Sequence, residues 1–206
     1  MKPADLDAVT IDAYGTLVEL ADPVPALQQG LRSLGVERDA KAVGRAFARE
    51  TEYYRKHSFE GRDEQTLYAL RRECVAIILG DLGAELEPEA FIEEFVAAFR
   101  FRPLPGALAA VRALRVRGLA AAVVSNWDIG LPGLLGELGA LVVVTSAEAG
   151  APKPDPAPFR LALERLQVRP ERALHIGDRD ADEVGARAAG MHFAPAPLAA
   201  AVEALA

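Results

Sequence analysis

Four polar side chains stand at or just beyond the ends of short apolar segments in this sequence. They are Asp12, Ser125, Lys153 and Asp178. A carboxylate can attack an electrophilic centre, a hydroxyl and an ammonium group can hold an anion, and a second carboxylate can share a divalent cation. If the fold brings them together, these residue types predict hydrolysis through a covalent intermediate on an aspartate.

Short apolar segments alternate with amphipathic ones, which is the pattern of strands and helices in a parallel α/β sheet. The predicted strands are 9–11, 119–124, 141–145, 173–176 and 191–193, and the predicted helices are 107–117, 131–138, 157–166 and 182–189. In an open α/β sheet, ligands bind at the carboxyl ends of the strands. The sequence therefore predicts an α/β fold, a Rossmann-like parallel sheet core flanked by helices, with the four side chains at one edge.

A segment with a different pattern follows the first strand. Residues 24–34, 40–57, 64–82 and 88–101 carry apolar residues at spacings of three and four, and no strand pattern separates them. The sequence Arg-Pro-Leu-Pro-Gly at 102–106 then interrupts the helical pattern. We therefore predict a core of residues 1–17 and 102–206 and an inserted four-helix domain of residues 18–101.

Composition restricts the kinds of partner. Among 206 residues, 30 Asp and Glu against 23 Lys and Arg give a formal charge of −7, which argues against a nucleic-acid groove. Cys74 is the single cysteine, the first residues have no apolar signal core, and no apolar run approaches the roughly 20 residues of a membrane span. We expect a soluble, cytoplasmic protein that acts on a small molecule, and an apolar face of the insert could support a homodimer.

The motifs around these residues resemble those of the haloacid dehalogenase superfamily, in the same order and over the whole chain. Asp12-Ala13-Tyr14-Gly15-Thr16-Leu17 is similar to its first motif, and Val123-Val124-Ser125-Asn126 is similar to its second. Lys153-Pro154 is similar to the third, and Gly177-Asp178-Arg179-Asp180-Ala181-Asp182 is similar to the fourth. The resemblance implies that the insert is the helical cap of this superfamily.

For the reaction, the resemblance implies a role at each matching position. Asp12 would be the nucleophile that attacks phosphorus or carbon. Thr16, Ser125 and Asn126 would bind the anionic group of the substrate. Lys153 would neutralise the nucleophile and the charge that develops on the substrate.

The resemblance also implies a magnesium site made of oxygen ligands. Asp178 would hold Mg²⁺ together with Asp12 and the backbone carbonyl of Tyr14, and Asp182 would support that set of ligands. Three carboxylates against the Lys153 ammonium group leave about two net negative charges, which suit a divalent cation and would repel a haloalkanoate.

The first motif departs from the pattern of the phosphatases in the superfamily. Most of them have an aspartate at the position of Tyr14, whereas the haloacid dehalogenases have tyrosine there and need no metal. Dehalogenases in turn have Ser-Ser-Asn in place of Gly177-Asp178-Arg179, and a tyrosine in place of Phe159. We give the acids of the fourth motif more weight, and expect a Mg²⁺-dependent phosphatase of a small phosphorylated metabolite with an aspartyl-phosphate at Asp12.

Two other functions stay open from the sequence. One is a metal-independent 2-haloacid dehalogenase, and the other is a catalytically weak member that binds a phosphorylated ligand or a protein partner. A phenol at Tyr14 could protonate a leaving group but would activate water poorly at neutral pH. A phosphatase with this residue is expected to favour aryl or acyl phosphates. His175 is expected to be a packed, hydrogen-bonded core residue.

Overall fold

The computed structural model describes residues 6–136, 138 and 141–205. These form two compact units: one is the chain up to Glu19 together with the chain from Phe101 onward, and the other is Leu20–Arg100. The strands are β1 Ala8–Ile11, β2 Val18–Leu20, β3 Phe101–Pro103, β4 Ala120–Ser125, β5 Val142–Thr145, β6 Ala173–Gly177 and β7 His192–Pro195. The helices are α1 Val24–Ser33, α2 Ala40–His57, α3 Glu64–Leu82, α4 Ile92–Ala97, α5 Ala107–Val116, α6 Leu131–Leu134, α7 Ser146–Ala149, α8 Ala157–Leu166, α9 Asp180–Ala188 and α10 Leu198–Glu203. Within the described ranges, none of these helices has the length and apolar character needed to cross a bilayer.

The first unit is built on a five-stranded parallel sheet with the order β5-β4-β1-β6-β7. The central strand β1 is buried along its whole length, which is why it lacks the alternation of polar and apolar residues found in half-exposed strands. Its last residue, Ile11, is level with Val123 of β4 on one side and Ile176 of β6 on the other. Asp12 and Asp178 therefore directly follow β1 and β6, and Ser125 is the last residue of the neighbouring β4, so that all three lie at the same edge.

Apolar layers cover both faces of this sheet. On one face Val9 and Ile11 belong to a cluster with Leu114 of α5 and Val202 of α10. On the other face Ala8 belongs to a cluster with residues of α8 and α9. Removing these side chains from water is the main favourable term for the fold. The predicted α/β fold, a parallel sheet flanked by helices, is confirmed.

The second unit is helical and has its own apolar core. Helices α2 and α3 begin after Asp39 and Asp63, whose side chains accept hydrogen bonds from the backbone N–H groups of Ala42 and Thr66 at 2.8 Å each. Both helices have the bounds expected from the sequence. Their buried side chains pack with those of α1 and α4 in one cluster, which includes Leu31, Val43, Ile78 and Phe95.

Several elements differ from the sequence prediction. The helix predicted over 88–101 is a 3₁₀ turn, Pro88–Phe91, followed by α4, and Phe101 begins β3. Strands β2 and β3 pair with each other, which neither three-residue segment reveals because its partner is remote in sequence. The helix predicted over 131–138 ends at Leu134, and residues 137, 139 and 140 lie outside the described ranges.

Candidate active site

Asp12 leaves the end of β1 with its side chain inside the protein. It is 5% exposed, and its Oδ1 accepts hydrogen bonds from Ser125 Oγ at 3.1 Å and from Lys153 Nζ at 2.6 Å. Its backbone N–H donates to the carbonyl of Ile176, which extends the pairing with β6 by one residue. Because both of these side-chain hydrogen bonds end on Oδ1, Oδ2 is the better candidate for attack on a substrate.

Lys153 lies between two carboxylates. Its Nζ donates to Asp12 Oδ1, to Asp182 Oδ1 at 2.5 Å and to the carbonyl of Val124 at 3.0 Å, so that the three donors of the ammonium group are used. Burial acts to lower the pKa of Lys153, but the charges of the two carboxylates outweigh burial and the pKa is raised. The site therefore holds a permanent positive charge that is nearly closed to solvent.

Asn126 holds the backbone of the loop that carries the lysine. Its side-chain Oδ1 accepts from the N–H of Lys153 at 2.7 Å, and its Nδ2 donates to the carbonyl of the same residue at 3.0 Å. These two hydrogen bonds fix the loop between α7 and α8 to the end of β4. A contact between Asn126 and a substrate anion stays a prediction, and in this structure the amide is engaged with protein backbone.

Asp12, Asp178 and Asp182 form a cluster of acids at the sheet edge. One carboxylate oxygen from each lies within 4.8 Å of the other two. Asp178 is the exposed member of the cluster, yet partial desolvation of its carboxylate and the charge of Asp12 raise its pKa. Gly15 permits the close approach of Asp178, since its φ is +89° and a Cβ at this position would lie 2.6 Å from Asp178 Oδ2.

Asp182 is the most deeply buried acid of the cluster. Its Oδ1 lies 3.2 Å from His175 Nε2 as well as bonding Lys153, and its Oδ2 accepts from the backbone N–H of Arg179 at 3.1 Å. Burial acts to raise the pKa of Asp182, but the hydrogen bond with His175 and the charge of Lys153 lower it overall. The helix start predicted at Asp182 is wrong: α9 begins at Asp180, and Asp182 caps its first turn from the third position.

Two further residues of the first motif lie in contrasting environments. Thr16 is buried, and its hydroxyl has no hydrogen-bond partner among the described residues. An unsatisfied buried hydroxyl is unfavourable by about 1–3 kcal/mol, so this one is a candidate donor to a bound anion. Tyr14 is 39% exposed, and its backbone forms an isolated bridge with that of Val18.

The motif residues predicted from the sequence are thus found around one edge of one sheet. A model of haloacid dehalogenase-like hydrolases matches residues 6–190. The chain belongs to the haloacid dehalogenase-like hydrolase family. The family membership expected from the sequence is confirmed.

Relatives of this haloacid dehalogenase-like hydrolase differ in their named reactions. The human haloacid dehalogenase-like hydrolase domain-containing protein 3 is 34% identical over 199 residues, which cover 89% of this chain and 79% of the relative. A phosphoglycolate phosphatase of Rhodospirillum rubrum is 30% identical over 195 residues, which cover 89% of this chain and 76% of the relative. Among solved structures, a defluorinating L-2-haloacid dehalogenase has a TM-score of 0.71 at 20% identity, over 91% of this chain and 80% of that one.

His175 of this hydrolase is a buried core residue, but its link to the acids was not predicted. Its ring packs edge-on to Phe159, with 4.9 Å between centroids, and its Nδ1 lies 2.8 Å from Thr10 Oγ1. One signal was available, since Thr10 and His175 are polar residues inside the apolar strands β1 and β6. Only the strand register shows that they face each other.

Proposed function

We propose that this hydrolase is a Mg²⁺-dependent phosphatase that acts on a small phosphorylated metabolite through an aspartyl-phosphate at Asp12. The observation that carries the proposal is the acid cluster of Asp12, Asp178 and Asp182, with oxygens within 4.8 Å of one another and Lys153 bonded to two of its members. Three carboxylates and one ammonium group leave about two negative charges, which favours a divalent cation over an anionic substrate alone.

The chemistry of these side chains fits Mg²⁺. This cation prefers oxygen ligands and is commonly held by one or two carboxylates. Asp12 and Asp178 would supply them, with the carbonyl of Tyr14 as a third ligand. Asp182 would support these ligands, because its two oxygens already accept hydrogen bonds from three donors of the protein. Bound there, Mg²⁺ would offset the negative charge of the site and polarise a phosphoryl group.

Residues of the protein would carry both steps of the reaction. Oδ2 of Asp12 would attack phosphorus and displace the leaving oxygen, while Lys153 and Ser125 orient the carboxylate through Oδ1. The buried hydroxyl of Thr16 would donate to a phosphoryl oxygen and so gain a partner. Water would then attack phosphorus in the aspartyl-phosphate, which releases inorganic phosphate and restores Asp12.

Tyr14 would restrict the leaving groups that this phosphatase accepts. At 39% exposure its phenol replaces the carboxylic acid that most phosphatases of the superfamily use to protonate the leaving oxygen. We therefore propose a preference for aryl and acyl phosphates.

The helical unit would act as a cap that excludes water and selects the substrate. A cytoplasmic location and a homodimer formed through an apolar face of the insert stay predictions from the sequence.

The test is phosphate release from aryl, acyl and alkyl phosphates, each with Mg²⁺ and with excess EDTA. We expect hydrolysis of p-nitrophenyl phosphate and acetyl phosphate that EDTA abolishes and added Mg²⁺ restores, with glycerol phosphate slower by about tenfold or more. Asp178→Asn should remove the Mg²⁺ response. Asp180→Asn is the matched control, because Asp180 is an exposed acid of the same motif and stands outside the acid cluster.

A metal-independent haloacid dehalogenase is the alternative that the first motif favours. Halide release from 2-chloropropionate in EDTA, without phosphate release from any ester, would overturn the phosphatase proposal. Phe159 argues against this alternative. Its side chain is fully buried against His175 and has no hydroxyl to position a hydrolytic water.

Tyr14 can be tested by exchanging its phenol for an acid. Tyr14→Asp should raise the rate on glycerol phosphate by about tenfold or more, because a carboxylic acid protonates an alkoxide leaving group better. Tyr14→Phe is the control for removal of the phenol alone. No gain from Tyr14→Asp, or equal wild-type rates on alkyl and aryl phosphates, would contradict the proposed leaving-group preference.

A further inference from the structure

A continuous series of buried hydrogen bonds runs from the middle of the sheet to the nucleophile. Thr10 Oγ1 lies 2.8 Å from His175 Nδ1, and His175 Nε2 lies 3.2 Å from Asp182 Oδ1. The same oxygen of Asp182 accepts from Lys153 Nζ at 2.5 Å, and Nζ also donates to Asp12 Oδ1 at 2.6 Å. Thr10 and His175 are 0% exposed, so these contacts satisfy groups that solvent cannot reach.

The direction of these hydrogen bonds follows from what each group can donate. Oδ1 of Asp182 is a carboxylate oxygen that only accepts, so the proton between it and the imidazole must be on Nε2. Burial lowers the pKa of His175, and a neutral ring carries one proton. Nδ1 is then an acceptor, and the hydroxyl of Thr10 must donate to it. The other neutral tautomer would place two acceptors 3.2 Å apart inside the protein.

We propose that Thr10 and His175 are positioning residues of the active site. Thr10 selects the Nε2–H tautomer of His175, His175 fixes the carboxylate of Asp182, and Asp182 holds Lys153 against Asp12. This role rests on the proposed function, since the lysine and the nucleophile are those of the phosphatase reaction. Residues that hydrogen-bond to active-site groups without touching the substrate typically change activity by about 10- to 100-fold when they are removed.

Packing alone does not require polar side chains at positions 10 and 175. The ring of His175 lies among Phe159 and Phe193, at centroid distances of 4.9 and 6.4 Å, where an apolar aromatic side chain would suit the surroundings. Valine has nearly the shape of threonine and is at least as common in strands, so an apolar residue would also suit position 10. A buried polar pair is favourable only when its hydrogen bonds are satisfied, and here the last partner is the acid that binds Lys153.

The first experiment compares Thr10→Val, which removes the hydroxyl at nearly constant volume, with Thr10→Ser, which keeps the hydroxyl and loses a methyl group. With p-nitrophenyl phosphate and Mg²⁺, we expect Thr10→Val to lower kcat about tenfold with KM within about twofold, and Thr10→Ser to retain both within about twofold. A role in packing alone predicts the reverse, because serine leaves the larger packing defect. Urea unfolding of both variants identifies any loss of the fold, and wild-type kcat in a folded Thr10→Val protein overturns the proposal.

The second experiment observes the imidazole directly, without any substrate. Long-range ¹H–¹⁵N NMR correlations distinguish the tautomers, and His175→Gln assigns the signals among the three histidines of the chain. We expect a neutral Nε2–H ring for His175 in the wild type and in Thr10→Ser, and loss of that single pattern in Thr10→Val. An Nδ1–H ring in the wild type overturns the proposal.

The third experiment measures how firmly Lys153 is held. Reductive methylation with formaldehyde, read by mass spectrometry, gives the reactivity of Lys153 relative to the exposed Lys41. We expect Lys153 to react about tenfold faster in Thr10→Val than in the wild type and Thr10→Ser, because a loosened site opens more often. Unchanged reactivity in Thr10→Val overturns the proposal. If the wild type hydrolyses no phosphate, the proposed function fails, and this measurement still decides the positioning role.

Discussion

Asp182 at the sheet edge and Glu50 in the helical unit are both buried carboxyl groups, and their pKa values move in opposite directions. Burial acts to raise both. At Asp182 the hydrogen bond with His175 and the charge of Lys153 reverse that effect and lower the pKa. At Glu50, on α2, the hydrogen-bonding partners are the Cys74 thiol and the Thr51 hydroxyl, and the pKa is raised from 4.5 to about 7.

The difference shows that the partner, and not the depth of burial, decides the charge of an acid in this protein. Asp182 is 1% and Glu50 is 3% exposed. The hydrogen bond with His175 and an ammonium ion at 2.5 Å keep Asp182 ionised, whereas a thiol and a hydroxyl at 3.5 Å leave Glu50 protonated through most of the acid range. The sheet edge therefore concentrates charge for chemistry, and the helical unit buries an acid in its neutral form.

The largest effect should come from removing the charge of the nucleophile. Asp12→Asn keeps the size of the side chain but removes its ability to attack, and we expect kcat to fall by on the order of 10⁴-fold. Glu50→Gln makes the same acid-to-amide change in the other unit and should leave kcat within about twofold. Phosphate release from p-nitrophenyl phosphate measures both, and more than about one hundredth of wild-type turnover in Asp12→Asn would refute the nucleophile assignment.

Removing the ammonium group of Lys153 should leave buried carboxylates at the sheet edge without a compensating positive charge. Lys153→Met leaves Asp12 and Asp182 without their common partner, and we expect the free energy of unfolding at pH 8 to drop by about 3–5 kcal/mol. The exposed Lys41→Met is the control and should change it little. Urea unfolding followed by circular dichroism gives both values, and an unchanged stability of Lys153→Met would contradict the importance of the pairing.

The contribution of Glu50 to stability should depend on pH in the direction opposite to that of Asp182. Its pKa of about 7 in the folded protein exceeds the 4.5 of the unfolded chain, so its stabilising contribution is complete below about pH 4.5 and is lost as the pH rises to about 7. That contribution amounts to about 3 kcal/mol. We expect Glu50→Gln to match the wild type near pH 4 and to be more stable at pH 8. Asp182 contributes with the reverse sign, since its lowered pKa means that stability is lost as the pH falls.

The smallest effect should come from an ion pair that solvent reaches. Glu183 accepts from Arg187 at 2.8 Å on the surface of α9, close in sequence to the buried pair of Asp182 and Lys153. Exposed pairs at this spacing typically contribute less than about 0.5 kcal/mol, so Glu183→Gln should scarcely move the urea midpoint. A loss comparable with that of Lys153→Met would show that burial is irrelevant to these pairs.

Much of the arrangement was predictable from the sequence because it depends on local patterns. Parallel strands end at one edge, so Asp12, Ser125 and Asp178 could be placed together from the lengths of the apolar segments and the helices between them. Strands β2 and β3 were not predictable, because three residues hold too little periodicity and the partner is remote in sequence. The helix expected over 88–101 belongs to the same case at its last residue only, since Phe101 begins β3.

The sequence by itself determined the α/β class, the order of the motifs and the kinds of group at the sheet edge. The tertiary structure decided which atoms bond: Lys153 to two acids at once, Asn126 to the lysine backbone, and Asp182 to His175. Such contacts depend on the register of the strands and on how closely separate elements approach one another. At Gly177, for example, a Cβ would lie 2.4 Å from Asp182 Cγ. Residue types and spacing specify neither, because both arise when separate elements pack against one another.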